Sequence, residues 1–222
     1  PGVPGLLACR AVRAMQSADV IRNDDLVPHD VLDFARREAK KIVVGQPNDV
    51  RALAIKLAKQ GQRVVQLTSR DPLSFARNQE CAAYRSAGVA VEIVPGITVA
   101  LAAGSYVGVP LTHRGLASAV ALVTGRESAD KVGDEIDYAA LATFPGTLVF
   151  YMGVTTAPEW TEGLFGGGMP AETPVVIVRR CTWPDQQAIH TTLGKLTAVL
   201  AERKLRPPVI TIVGRVASLE PV

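Results

Sequence analysis

The chain has 222 residues, 48% of them apolar and 20% charged, with 24 Lys/Arg against 21 Asp/Glu and a net charge of +3. Such a composition buries a real core, which excludes disordered, collagen-like and disulfide-scaffold classes, and the length fits one large or two small domains. The charge is too small to argue for a nucleic-acid partner: residues 1–111 carry 14 basic and 10 acidic groups, a balance of +4, and residues 112–222 carry 10 and 11, a balance of −1. No basic run of nucleic-acid type is present, and aromatic residues are scarce. No apolar stretch reaches the roughly 18 residues of a membrane span, and no signal-peptide pattern opens the sequence. Cys9, Cys81 and Cys181 form no C-x-x-C pair and His29, His113 and His190 are scattered, so no metal site is expected. An odd number of unpaired cysteines fits a reducing compartment, the cytoplasm.

The elements follow in chain order. The opening Pro1-Gly2-Val3-Pro4-Gly5 reads as a loop, Leu6–Gln16 as a helix and Ala18–Ile21 as a buried strand ending in polar Arg22-Asn23-Asp24-Asp25. Val31–Ala39 is a second predicted helix and Lys41–Val44 a strand stopped by Gly45. Asp49 can cap a helix whose apolar face is Val50, Leu53, Ala54, Leu57 and Ala58, at helical spacing. Strand Arg63–Leu67, helix Phe75–Ala87 and strand Val89–Val94 come next. Strands separated by helices of this length imply a parallel sheet. Val99–Tyr106 is a small-residue helix, and the domain junction is placed near Pro110–Arg114, giving domains 1–111 and 112–222. Beyond it the pattern predicts strands at Ser118–Thr124, Thr147–Tyr151, Pro174–Val178, Gln187–Thr191 and Val209–Val213, with helices at Tyr138–Ala142, Glu159–Leu164 and Leu193–Lys204. The closeness of the third and fourth of these strands predicts a hairpin and a mixed sheet.

Several segments carry a resemblance. Val94-Pro95-Gly96-Ile97-Thr98-Val99-Ala100-Leu101-Ala102-Ala103, followed by Gly108-Val109-Pro110-Leu111-Thr112-His113-Arg114, is similar to the signature of the uroporphyrinogen-III C-methyltransferases, within the tetrapyrrole methylase family. In the same order, Pro1–Pro4 resembles P-G-D-P, Ala18–Val27 resembles A-D-V-[VI]-x-x-D-x-L-V, and Asp71-Pro72 resembles the end of G-G-D-P. Arg77-x-x-Glu80 resembles R-G-G-E, Val123-Thr124-Gly125 resembles V-T-G-H, Leu148–Gly153 resembles L-V-F-Y-M-G, and Thr182–Gln186 resembles T-R-P-D-Q. The resemblance implies a two-domain α/β fold with a mostly parallel first sheet, a mixed second sheet and an active-site cleft between them, usually as a homodimer. It implies an enzyme that uses S-adenosylmethionine, released as S-adenosylhomocysteine, to methylate the tetrapyrrole uroporphyrinogen III by way of precorrin-1 to precorrin-2, which feeds sirohaem and cobalamin pathways.

Methyl transfer from a sulfonium needs position and charge arrangement from the protein. The resemblance assigns donor contacts to Pro1, Gly2, Ser69, Arg70, Asp71, Thr98, Val99, Met152, Cys181 and Val209. Read without it, Met152 is a core methionine and Thr98 a helix cap. The acceptor is carboxylate-rich, and arginine pairs with carboxylates through two hydrogen bonds. Arg77 and Glu80 share a helix face; the choice is between a surface ion pair, worth ~0–1 kcal/mol, and the tetrapyrrole contact that the resemblance implies. Arg114 lies at the cleft by resemblance or forms a hinge salt bridge. His113 reads as a structural histidine. Asp24, at the end of a predicted parallel strand, accepts from pyrrole N–H groups or takes the proton lost after methylation, or else closes an Asx-turn.

The departures from the pattern cluster at the donor residues. Ser69-Arg70 stands where the family has two glycines, Val3 where it has aspartate, Arg126 where it has histidine and Trp183 where it has arginine. The hydrophobic strand that precedes the family's first glycine loop has no counterpart, and the loop after Gly45 is cut to Gln46-Pro47-Asn48. Residues ahead of Pro1 are therefore expected to be omitted from the sequence. Three readings follow: methylation of uroporphyrinogen III, methylation of a later precorrin, and a weakly active or non-catalytic tetrapyrrole-binding relative. A nucleotide-using α/β enzyme is disfavoured, since neither G-x-x-x-x-G-K nor a complete G-x-G-x-x-G occurs.

Overall fold

Alternating short branched-residue strands and helices build two separate sheets. The computed structural model describes residues 2–24, 26–43, 47–69, 71–74, 78–127 and 135–220. Its compact units are Pro1–Thr98 and Val99–Val222; the sequence pattern places the junction further on, at Pro110–Arg114.

In the first unit, helix α1 (Cys9–Ser17) leads into strand β1 (Val20–Asn23), helix α2 (His29–Leu32), strand β2 (Lys40–Val43), helix α3 (Pro47–Lys59), strand β3 (Val64–Leu67) and helix α4 (Asn78–Ser86). The sheet is parallel, in the order β2-β1-β3, with Val20 opposite both Lys40 and Val64. Central β1 is buried along its length, and Met15, Ala18, Ile21, Val31, Leu32 and Leu67 pack around it. Asp19 fastens the entry to this sheet. Its carboxylate accepts from the Arg63 backbone N–H at 2.7 Å and from the Arg36 guanidinium, and its carbonyl accepts from Lys40 N–H at 2.9 Å.

Two expectations fail in this unit. The predicted helix Val31–Ala39 is only the four residues of α2. Arg36 instead turns back to donate to the Ala18 carbonyl at 2.7 Å, so a tertiary contact overrides helical spacing. Val89–Val94 has the alternation of a strand but pairs with none among the described residues. Among the described residues β3 pairs with β1 alone, and a cavity of about 1110 Å³ is lined both by Val64–Leu67 and by Val89–Val94. A β-strand is defined by its neighbour, and the Val89–Val94 wall has none among the described residues.

The second unit opens with helix α5 (Val99–Tyr106), followed by strand β4 (Val120–Thr124), helix α6 (Tyr138–Ala142), strand β5 (Thr147–Tyr151) and helix α7 (Ala157–Gly166). Strands β6 (Pro174–Arg179) and β7 (Gln187–Thr192), helix α8 (Leu196–Glu202) and strand β8 (Val209–Val213) complete it. Its sheet order is β4-β5-β8-β6-β7; β4 and β5 are parallel, and β8 runs antiparallel to both β5 and β6. The predicted β6–β7 hairpin is present, with Pro174 opposite Thr192. The predicted helix Leu193–Lys204 begins as a 3-10 turn, Leu193–Lys195, before α8. Trp160, Phe150, Leu164, Ile177, Leu196 and Val213 form the centre of the core. Trp160 and Phe150 stack with ring centroids 4.1 Å apart.

Candidate functional site

In the first unit Asp24 and Ser69 meet at the carboxyl ends of parallel β1 and β3, where open α/β sheets place their ligands. Asp24 directly follows β1. Its Oδ1 accepts from Leu26 N–H at 3.1 Å, closing an Asx-turn, and its Oδ2 accepts from Ser69 N–H at 3.4 Å. The carboxylate thus ties the end of β1 to the residue after Thr68, beyond β3. Asp71 does similar work one turn on: Oδ1 accepts from Leu73 N–H (3.0 Å) and Ser74 Oγ (3.2 Å), and Oδ2 accepts from Gly96 N–H (3.3 Å). Asp71 therefore joins its own loop to the Pro95-Gly96 turn that leads to Thr98. Gly2 lies in the loop before the 3-10 turn Pro4–Leu6, and Glu80 is half-buried on α4. Pro1, Arg70 and Arg77 lie outside the described residues.

In the second unit, strand register brings Met152, Cys181 and Val209 to one end of the sheet. Tyr151 is opposite Ile210 and Arg179 is opposite Val209, so the residues after β5 and β6 and the first residue of β8 share an edge. The turn after β5 is tightly made. Gly125 N–H donates to the Tyr151 carbonyl at 2.6 Å, and a Cβ on Gly125 would lie 2.4 Å from Gly153 Cα. Only glycine fits there. Thr156 donates its hydroxyl to the Gly125 carbonyl, and Trp160 Nε1–H donates to the Gly153 carbonyl at 2.9 Å. Met152, between them, has a left-handed φ of 53° and is 44% exposed. It is a presented side chain, not a core methionine. Tyr151 Oη accepts from Ala100 N–H at 3.1 Å, which anchors the first turn of α5 and Val99 to the same sheet.

Cys181 lies in the β6–β7 turn, is buried, and has its thiol pushed up to about 11 by that burial; it is a small neutral neighbour, not a thiolate nucleophile. Arg180 and Thr182 on either side both have left-handed φ, 49° and 69°. Arg180 Nε donates to Asp185 Oδ1 at 2.7 Å and its guanidinium lies 4.1 Å over the Trp183 ring. The Arg180 hydrogen bond holds the Asp185 carboxyl below the usual range. Arg114 stands exposed in the turn that the His113–Ala117 bridge closes, with no ion pair among the described residues. His113 has a local role, since its Nδ1 accepts from Gly115 N–H at 3.2 Å. Sequence reasoning gave no role to Tyr151, Trp160 or Asp185; their partners depend on strand register and turn closure, and only the Tyr-Met-Gly and Pro-Asp-Gln motifs flagged their neighbourhoods.

Among the described residues no group of histidine, cysteine and acidic side chains could hold a metal ion, and no helix is long and apolar enough to cross a membrane. The sequence profile of the tetrapyrrole (corrin/porphyrin) methylases matches residues 1–197. The chain belongs to the tetrapyrrole methylases. This methylase is 39% identical, over 99% of its length, to a siroheme synthase of Chromobacterium violaceum, of which the match covers 48%; the chain spans about half the length of the curated relatives it matches. Among solved structures it is similar to a cobalt precorrin-4 methyltransferase of cobalamin biosynthesis, with a TM-score of 0.89, 25% identity and coverage of 99% of this chain and 93% of that one. It is also similar to the uroporphyrin-III C-methyltransferase of Thermus thermophilus complexed with S-adenosylhomocysteine, with a TM-score of 0.82, 34% identity and coverage of 97% and 94%. The α/β fold with one parallel and one mixed sheet is the fold expected from the sequence.

Proposed function

We propose that this methylase transfers the methyl group of S-adenosylmethionine to two pyrrole carbons of uroporphyrinogen III, giving precorrin-2 by way of precorrin-1. The observation that carries the reading is the likeness along 97% of the chain to a uroporphyrin-III C-methyltransferase that itself holds the demethylated donor. The second unit's own residues fit such a donor. Met152, Cys181 and Val209 share one sheet end, the two facing glycine turns bring backbone close, and the one thiol there is uncharged.

The donor supplies the electrophilic methyl; the chain's part is to hold and orient. Met152, Cys181, Val209 and Val99 hold the donor from the second unit, and Gly2, Ser69, Asp71 and Thr98 from the first, together with Pro1 and Arg70. Asp24, Arg77, Glu80 and Arg114 serve the acceptor. The arginines pair with its carboxylates, and Asp24 faces pyrrole N–H groups. Residues 1–111 form the tetrapyrrole side and 112–222 most of the donor side, in a cytoplasmic homodimer. A second reading, methylation of a later precorrin, has support in the TM-score of 0.89 to the cobalt precorrin-4 enzyme.

The test is incubation of the purified protein with labelled donor and uroporphyrinogen III, beside a panel of later precorrins. Two methyl groups on uroporphyrinogen III are expected. Labelling of a later precorrin alone selects the second reading, and no methylated product from any acceptor refutes both.

A further inference from the structure

We propose that Asp185 sets the preference of the donor site for the positively charged donor over its neutral product, by positioning and neutralising Arg180. The inference rests on the donor reading above and adds a residue that touches neither ligand. The β6–β7 turn presents a problem to any cationic ligand beside Cys181. Arg179 and Arg180 immediately precede that residue, and both side chains are part-buried, at 25% and 27% exposure. S-adenosylmethionine carries its positive charge on sulfur, and S-adenosylhomocysteine has lost that charge with the methyl group. Unbalanced guanidinium charge at this turn therefore penalises the substrate and spares the product.

Asp185 is placed to answer both arginines. Oδ1 accepts from Arg180 Nε at 2.7 Å and Oδ2 lies 3.6 Å from Arg179 Nη1. The Trp183 ring holds the other side of Arg180, with the guanidinium carbon 4.1 Å from the ring centroid, a cation–π geometry. The backbone is fixed around this pair. Arg180 N–H donates to the Pro208 carbonyl and Trp183 N–H to the Arg180 carbonyl, both at 3.0 Å, and Thr182 N–H donates to Gln186 Oε1 at 2.7 Å. Arg180 cannot relax by moving its main chain, since its left-handed φ is held by these bonds. Its charge is controlled by one carboxylate and one aromatic face. Trp183 stands where the family pattern has arginine, so at that position this chain has an aromatic ring that stacks on Arg180 in place of a further cation.

The experiment is calorimetry with S-adenosylmethionine and S-adenosylhomocysteine, titrated separately into wild type, Asp185→Asn and the double variant Asp185→Asn with Arg180→Gln. Asparagine keeps the shape and an acceptor oxygen and removes only the charge. For charges on the order of 10 Å apart and an effective dielectric between about 20 and 80, the ratio Kd(donor)/Kd(product) should rise roughly twofold to fifteenfold in Asp185→Asn. It should return to the wild-type value in the double variant. Equal weakening of both ligands would mean that Asp185 only shapes the turn, and would overturn the proposal. A ratio that stays raised without Arg180 would overturn it too. A wild type that binds neither ligand would refute the donor reading itself, a result distinct from an unchanged ratio.

Discussion

Trp160→Phe isolates what one indole N–H does for the turn that presents Met152. The wild-type ring is fully buried, stacks on Phe150 at 4.1 Å with a 12° interplanar angle, and donates to the Gly153 carbonyl at 2.9 Å. Phenylalanine keeps the stack and loses the donor. Gly153 is itself buried, so its carbonyl is left without that partner, at a cost of about 1–3 kcal/mol. The smaller ring leaves a void that adds about 1 kcal/mol. Destabilisation of about 2–4 kcal/mol in a chain of this size lowers Tm by roughly 4–16 °C. Thermal unfolding followed by circular dichroism reads the shift, and calorimetry with S-adenosylhomocysteine reads the turn. Affinity should fall together with stability, because the freed carbonyl lies next to Met152. A Tm within 1 °C of wild type would show that water or a relaxed turn replaces the indole, and would refute the reasoning.

Gly125→Ala should be more damaging at the same turn. The new methyl meets Gly153 Cα at 2.4 Å, backbone against backbone with no flexible side chain to yield, and the expected loss is about 3 kcal/mol or more, read as a Tm fall near 10 °C. Cys9 is exposed and should be alkylated within minutes at pH 8; buried Cys181, pushed up to about 11, should react only on unfolding, as mass spectrometry of labelled peptides will show. Asp19 is held below its ordinary value first by the Arg63 backbone N–H and then by Arg36. Its contribution is therefore complete above the unfolded value of about 3.9 and is lost as pH falls through the lower folded value. Asp19→Asn should thus melt below wild type at pH 7, and the gap should close below about pH 4. A gap that persists at pH 2 would show that charge is not the cause.

The second sheet was legible in the sequence because its strands are branched apolar runs bounded by glycine and proline. Thr147–Tyr151 and Val209–Val213 were predicted at their observed limits, and each is buried throughout. Val89–Val94 is equally strand-like and forms no ladder among the described residues, because alternation reports a preference and pairing needs a neighbour. The α2 region failed for a related reason: Arg36 finds Ala18 and Asp19, which are distant in sequence. At the site, motifs located the turns but not their fastenings. For Asp24 the sequence leaves an Asx-turn and a functional carboxylate open; the Asx-turn is present, along with a bond to Ser69 that only strand register explains. The roles of Tyr151 and Trp160 were illegible because each bridges a helix and a strand end through one polar atom.

The left-handed backbone at Met152, Arg180 and Thr182 has a consequence for mutational drift. A residue with a Cβ at such a torsion costs roughly 1–2 kcal/mol relative to one without, and all three positions stand at the sheet end proposed to hold the donor. Selection for folding alone would move Met152 towards glycine or asparagine, whereas selection for methyl transfer would hold it in place. A Met152 library sorted once for protease resistance and once for turnover should enrich opposite residues, and the difference between the two enrichments would measure how much stability the lineage has given up to keep that side chain presented.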